Sequence, residues 1–97
     1  MKLFFDPPEL QLMHKISVEG VAERTIDSFG GAETFPDLAS RVRDRMPNEL
    51  APMLDQMTEG DSLWWCRRAK RGPLYGHEGV ALVRQGRAII YLLIMNY

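Results

Sequence analysis

Three residues of this 97-residue chain have types suited to covalent chemistry: Cys66, His77 and Glu78. A thiolate attacks, an imidazole takes its proton, and a carboxylate orients the imidazole. They flank one loop, so neighbouring strands would bring them close. Burial argues the other way. A free cysteine is among the most buried residue types and packs as a small hydrophobe. The reading adopted is therefore non-catalytic binding, with an enzyme built on Cys66, His77 and Glu78 as the alternative.

The second cluster is Arg67, Arg68, Lys70 and Arg71, followed by Gly72-Pro73. Such a loop can contact phosphate or an acidic partner, with Tyr75 and His77 available to stack. It also serves as a solvated loop that aids solubility. The sequence pI of about 6.1 argues against a dedicated nucleic-acid domain. No helix-turn-helix, RNP or zinc-finger pattern is present. One cysteine and two separated histidines exclude a Cys-rich zinc site, so no metal is expected. Nothing matches a phosphate-binding glycine loop, so no cofactor is expected either.

The formal charge of −1 conceals a division. Residues 1–60 carry six Lys/Arg and eleven Asp/Glu, a balance of −5; residues 61–97 carry six and two, a balance of +4. Hydrophobic content of 45% and charged content of 26% suit a single soluble domain over 1–97. No apolar run approaches the roughly 20 residues that cross a bilayer. Met1-Lys2-Leu3-Phe4-Phe5 is too short for a signal peptide, and Asp6-Pro7 breaks it. A cytosolic protein without membrane contact is expected.

The elements that would position these residues divide at Gly60. Leu3-Phe4-Phe5 is a short strand or a core anchor. Asp6, Pro7 and Glu9 resemble a helix start and predict a helix to about Ile16. Ser17 caps a second helix, with Val21, Ala22, Ile26 and Phe29 on one stripe and Gly30-Gly31 as its stop. Thr34–Asp37 opens a third, which Pro47 closes. Asn48 begins a fourth, with Leu50, Met53, Leu54 and Met57 along it. Beyond Gly60 the period becomes strand-like: 62–68, then 80–84, then 87–95. Gln85-Gly86 makes the last two a hairpin. A two-residue loop would oppose Arg84 to Arg87; a three-residue loop with a bulge would not, and like charges favour the bulge. The expected class is α+β, with N-terminal helices (about 6–59) on one face of a three-stranded antiparallel meander (62–96).

Gly60-Asp61-Ser62-Leu63-Trp64, Gly79-Val80-Ala81-Leu82-Val83-Arg84-Gln85-Gly86 and Met95-Asn96 resemble a group of small uncharacterised bacterial proteins of the mobile gene-cassette type. The shared pattern is G-D-x-L-W, then G-x-A-L-V-R-x-G, then M-N, over roughly the last 40 residues. This chain departs from it at Trp65 and at Arg67-Arg68-Ala69-Lys70. The resemblance implies a fold and no established activity.

The final strand, Ala88–Met95, is apolar at every position. A strand with one wet face alternates, so both faces need cover. A short chain has little to spare, and a homodimer through the sheet is the expectation. Trp65, Tyr91, Leu93 and Met95 are its candidate interface residues. Two sheets packed face to face are preferred over edge pairing. A protein partner, or a small ligand held between protomers, fits the same expectation.

Overall fold

In the computed structural model, which describes residues 1–68 and 76–96, seven elements follow in order. These are β1 (Lys2–Phe5), β2 (Gln11–Lys15), α1 (Val18–Ser28), α2 (Pro36–Leu54), β3 (Ser62–Arg68), β4 (His77–Arg84) and β5 (Arg87–Asn96). The class is α+β with the helices on one face, but the sheet has five strands, ordered β1-β5-β4-β3-β2, not three. All pairings are antiparallel.

The two additional strands come from the segment expected to be helical. Asp6 has φ 49°, a left-handed turn conformation incompatible with an N-cap, and its N–H donates to Ile89 O at 3.0 Å. Pro7-Pro8 follow outside any helix or strand, where their missing donors cost no ladder bond. The stretch Asp6–Leu10 joins strands at opposite edges of the sheet. Four strand spacings of about 4.8 Å give about 19 Å, and six extended Cα steps reach about 21 Å. This strap therefore has almost no slack. It runs beneath the face away from the helices, where Leu10 packs against the cluster of Cys66, Ala81, Val83 and Tyr91.

Ser17 caps α1 as expected, accepting from the Gly20 N–H at 3.0 Å. The helix stops in a Schellman arrangement, with Gly31 N–H to Ile26 O at 3.1 Å and Gly30 N–H to Asp27 O at 3.3 Å. The third and fourth expected helices are one. Pro47 and Pro52 both lie inside α2. Both prolines are exposed, so water can satisfy the carbonyls they leave unpaired. Ala39, Met46, Leu50 and Met53 are buried on either side of Pro47 and hold the helix across it.

The main core lies between the helices and the sheet. Val21, Ala22, Met46, Leu50 and Met53 meet Leu63, Trp65, Val80, Leu82, Ile90 and Leu92. The opposite face holds a smaller cluster: Cys66, Ala81, Val83 and Tyr91, ringed by Phe4, Leu10, Leu12, Trp64, Ala88 and Leu93. Cover for both faces of β5 thus comes from the chain's own β1, strap and flanking side chains.

The register explains why β5 is apolar throughout. Leu82 pairs with Ile90 and Val83 with Ala88, leaving Ile89 extra; Glu78 pairs with Met95 and Gly79 with Leu93, leaving Ile94 extra. Each bulge lets consecutive residues serve one face. Ile89 and Ile90, then Ile94 and Met95, all join the helix-side core. The hairpin itself is the two-residue form. Gln85 (φ 52°) and Gly86 (φ 77°) make the turn, and Arg84 does face Arg87. The expected repulsion is relieved by Asp61, which accepts from Arg84 Nε at 3.0 Å and Nη2 at 2.8 Å. Opposite charge two elements away, and not a longer loop, settles the register.

Gly79 sits where the second bulge brings β5 against β4. A Cβ there would lie 2.0 Å from Leu92 O. Gly79→Ala should lower unfolding free energy by at least about 2 kcal/mol, read from urea denaturation. The Arg84 guanidinium beside Asp61, with the Thr58 N–H, holds the Asp61 carboxyl far below the usual range. A depressed folded pKa contributes stability above the unfolded value of about 3.9, lost as pH falls toward the folded one. Asp61→Asn should therefore flatten the acid limb of stability below about pH 4, followed by urea midpoints from pH 6 to 2.

Candidate functional site

Strand parity separates the three residues suited to covalent chemistry. On β3 and β4, Trp65, Arg67 and Glu78 share the helix side by register, whereas Cys66, Arg68 and His77 share the other. Cys66 is fully buried and its thiol donates to Trp64 O at 3.4 Å. Burial pushes that thiol up to about 12, far from the thiolate a nucleophile needs. His77 Nδ1 is 2.9 Å from the Tyr91 hydroxyl, with the rings in tilted contact. Burial, with Arg68 nearby, lowers the His77 pKa. Glu78 Oε1 accepts from Trp65 Nε1 at 3.0 Å and lies 3.7 Å from Arg24 Nη2. Each member is engaged elsewhere, and no relay joins them. Among the described residues no group of three His, Cys, Asp or Glu could hold a metal ion.

The four expected interface residues divide in the same way. Trp65 is 0% exposed and Tyr91 1%, so both spend their surface inside the protomer. Trp65 is enclosed on the helix side, while Tyr91 stacks beside Phe4 on the other face, centroids 6.4 Å apart. Leu93 and Met95 are half-buried, again on opposite faces. A face-to-face contact cannot use all four, because α1 and α2 occupy the side that Trp65 faces.

Of the basic cluster, Lys70 and Arg71 lie outside the described residues. Arg67 and Arg68 straddle the end of the sheet. Arg67 stands in the cross-strand row Gln11–Arg67–Glu78–Met95, and Arg68 in the row with His77 and Asn96. Above the first row, α1 contributes Arg24, whose guanidinium lies 5.0 Å from the Trp65 ring centroid and 3.4 Å from His14 Nε2. Arg24, Asp27, Ser28, Trp65, Glu78 and Met95 line a pocket of about 250 Å³. Arg24 had no signal in the sequence. It flanks the buried stripe Val21, Ala22, Thr25 and Ile26, and only the packing angle of α1 brings it over Trp65.

The electrostatics of this end follow from the ion pairs. Residues 61–97 contain two acids, Asp61 and Glu78. Arg84 takes the first and Arg24 the second. Arg67 and Arg68 make no ion pair with a described residue. Arg67 Nε is buried and has no hydrogen-bond partner among the described residues. A buried donor left unmet is costly, more so when it is charged.

No protein-family model, no curated protein and no solved structure matches the chain. The geometry alone bears on its function. In the native protein the Cys66 thiol should resist Ellman's reagent at pH 8 for as long as the fold persists. It should react at once in 6 M guanidinium, as thiolate fraction and access both return.

Proposed function

We propose that the protein is a non-catalytic binding protein that receives an anionic group of its partner at the sheet end carrying Arg67 and Arg68. The observation that supports this reading is the buried Arg67 Nε with no acceptor among the described residues. Glu78, directly across from Arg67, is already shared by Arg24 and Trp65. A carboxylate or phosphate oxygen would satisfy the guanidinium with a charge-assisted bond. Arg68, half-buried on the other side of the same strand end, adds a second positive charge. This reading needs no second copy of the chain. Of the residues expected at a dimer interface, Leu93 and Met95 keep some surface for one.

Fluorescein-labelled heparin, followed by anisotropy at about 50 mM and 200 mM salt, tests the site without presuming the partner's class. Arg67→Gln combined with Arg68→Gln should weaken binding about tenfold or more. Arg41→Gln with Arg45→Gln, on the exposed side of α2, should leave it within about twofold. Equal binding by the first double variant and the wild-type protein would refute the assignment.

A further inference from the structure

The pocket of about 250 Å³ between α1 and the sheet end holds charges of both signs. Arg24 and Glu78 are bound to each other in it. The guanidinium lies 3.7 Å from Glu78 Oε1 and 5.0 Å from the Trp65 ring centroid. Trp65 Nε1 donates to the same Glu78 oxygen at 3.0 Å. These three side chains hold one another in place before any ligand arrives. Asp27, one turn beyond Arg24 on α1, also lines the pocket; it is exposed, and its carboxylate makes no ion pair with a described residue. Arg67 stands beside two of the lining residues, directly across from Glu78 and two positions along β3 from Trp65, on the same face. Its buried Nε has no hydrogen-bond partner among the described residues. Met95, half-buried and paired with Glu78 from β5, gives the pocket an apolar wall.

We infer that this pocket binds a small amino acid zwitterion, its carboxylate on Arg67, its ammonium on Asp27 and its apolar carbons against Met95 and Trp65. The inference rests on the anionic-group reading of Arg67 and adds the ligand's class. A plain anion would meet Arg67 but lie beside two carboxylates, Asp27 and Glu78. A plain cation would meet Asp27, leave the Arg67 Nε unsatisfied and be repelled by Arg24. A ligand with both charges meets both residues, and each contact is charge-assisted. The arrangement also discriminates, since a ligand lacking either charge leaves one residue unpaired. A volume of about 250 Å³ is below the roughly 300–1,000 Å³ of pockets for drug-sized ligands, which suits a solute of few atoms.

The test follows the Trp65 indole N–H by NMR, because that group is bonded to Glu78 in the pocket. The probes are leucine and its isomer 6-aminohexanoate, which carry the same two charges close together or at opposite ends of the chain. At least one should shift the indole resonance saturably at about 1 mM or less. The N-acetyl and amide derivatives of that isomer, each lacking one charge, should bind at least about tenfold more weakly. Asp27→Asn and Arg67→Gln should each weaken the zwitterion by at least about tenfold. Asp27→Asn alters an exposed residue without a partner, and so guards against a folding defect at Arg67. Asp44→Asn, exposed on α2, should leave binding within about twofold. Absence of binding by either isomer, with heparin still held through Arg67 and Arg68, would overturn this inference and leave the proposed function standing. An N-acetyl derivative bound as tightly as its parent would do the same, since the carboxylate alone would then suffice. An amide bound as tightly as its parent would overturn the inference by removing the carboxylate's role. Heparin and zwitterion binding both unchanged by the loss of Arg67 and Arg68 would sink both readings.

Discussion

Eight successive apolar residues, Ala88–Met95, stand in a strand whose period is two. Each needs to be taken out of water, and a regular ladder would divide them equally between two faces. The helices can cover one face only. The structure answers first by bulging β5 twice, so that Ile89 with Ile90 and Ile94 with Met95 turn to the helical side. A bulge disrupts the ladder at a cost of about 1 kcal/mol per bond lost. Burying an isoleucine returns about 1.5–3 kcal/mol. The exchange is favourable, and it leaves Ala88, Tyr91 and Leu93 to be covered on the far side. The N-terminal segment provides that cover. β1 pairs beside β5, the strap passes under the sheet, and β2 closes the opposite edge. The same crossing takes both edges of the original meander, β3 and β5, out of solvent. The new edges are short. β1 carries Lys2, and β2 carries Lys15 and a register shift between Leu12 and His14, features that discourage further strand pairing.

Parity also decides the chemistry. Two side chains on adjacent positions of β4, His77 and Glu78, are 180° apart in direction, and no loop rearrangement within the register reunites them. Cys66 shares a face with His77, but Tyr91 stands between β4 and β1 and takes the imidazole. Glu78 on the far side anchors the Trp65 indole and the Arg24 guanidinium together. That triple contact docks the middle of α1 onto the end of the sheet. What a sequence places side by side, a sheet can hold on opposite surfaces of the protein.

The elements most legible in the sequence were those whose signals agree at several levels. Ser17 with its stripe and Gly30-Gly31 defined α1; the Trp-rich run and the hairpin marked β3, β5 and the Val80–Arg84 part of β4, which in fact begins at His77. The segment 6–16 misled because Asp-Pro-Pro-Glu matches a helix start and also a taut extended strap. Its fate depends on pairing with Trp64–Arg67, about 50 residues away, which no local pattern encodes. Pro47 misled through a rule that holds for isolated helices; burial of Met46 and Leu50 on either side outweighs it here. The hairpin register turned on Asp61, whose link to Arg84 spans 23 residues. The candidate site was legible in part for the same reason. Arg67 and Arg68 stood out as charges, but Arg24 and the engagement of Glu78 arise only when α1 is packed.

Net charge is a poor guide to what such a protein meets. The chain carries one more acid than base, yet its acids lie overwhelmingly before Gly60. Helices gather them: Glu19, Glu23, Asp37, Asp44 and Glu49 are exposed on α1 and α2, and Asp27 lines the pocket beside Arg24. The sheet, with side chains on both surfaces, sees them across an apolar core. Exposed charges on the solvent side of the helices are screened by physiological salt within about 8 Å, so the opposite surface is governed mainly by its own residues. The two acids of the sheet half are each spent on an arginine, one of them an arginine lent by α1. Lending Arg24 to Glu78 is what leaves Arg67 without a carboxylate among the described residues, although Glu78 is its cross-strand neighbour. The positive character of this sheet end thus follows from an ion pair made elsewhere, and not from the composition of the chain.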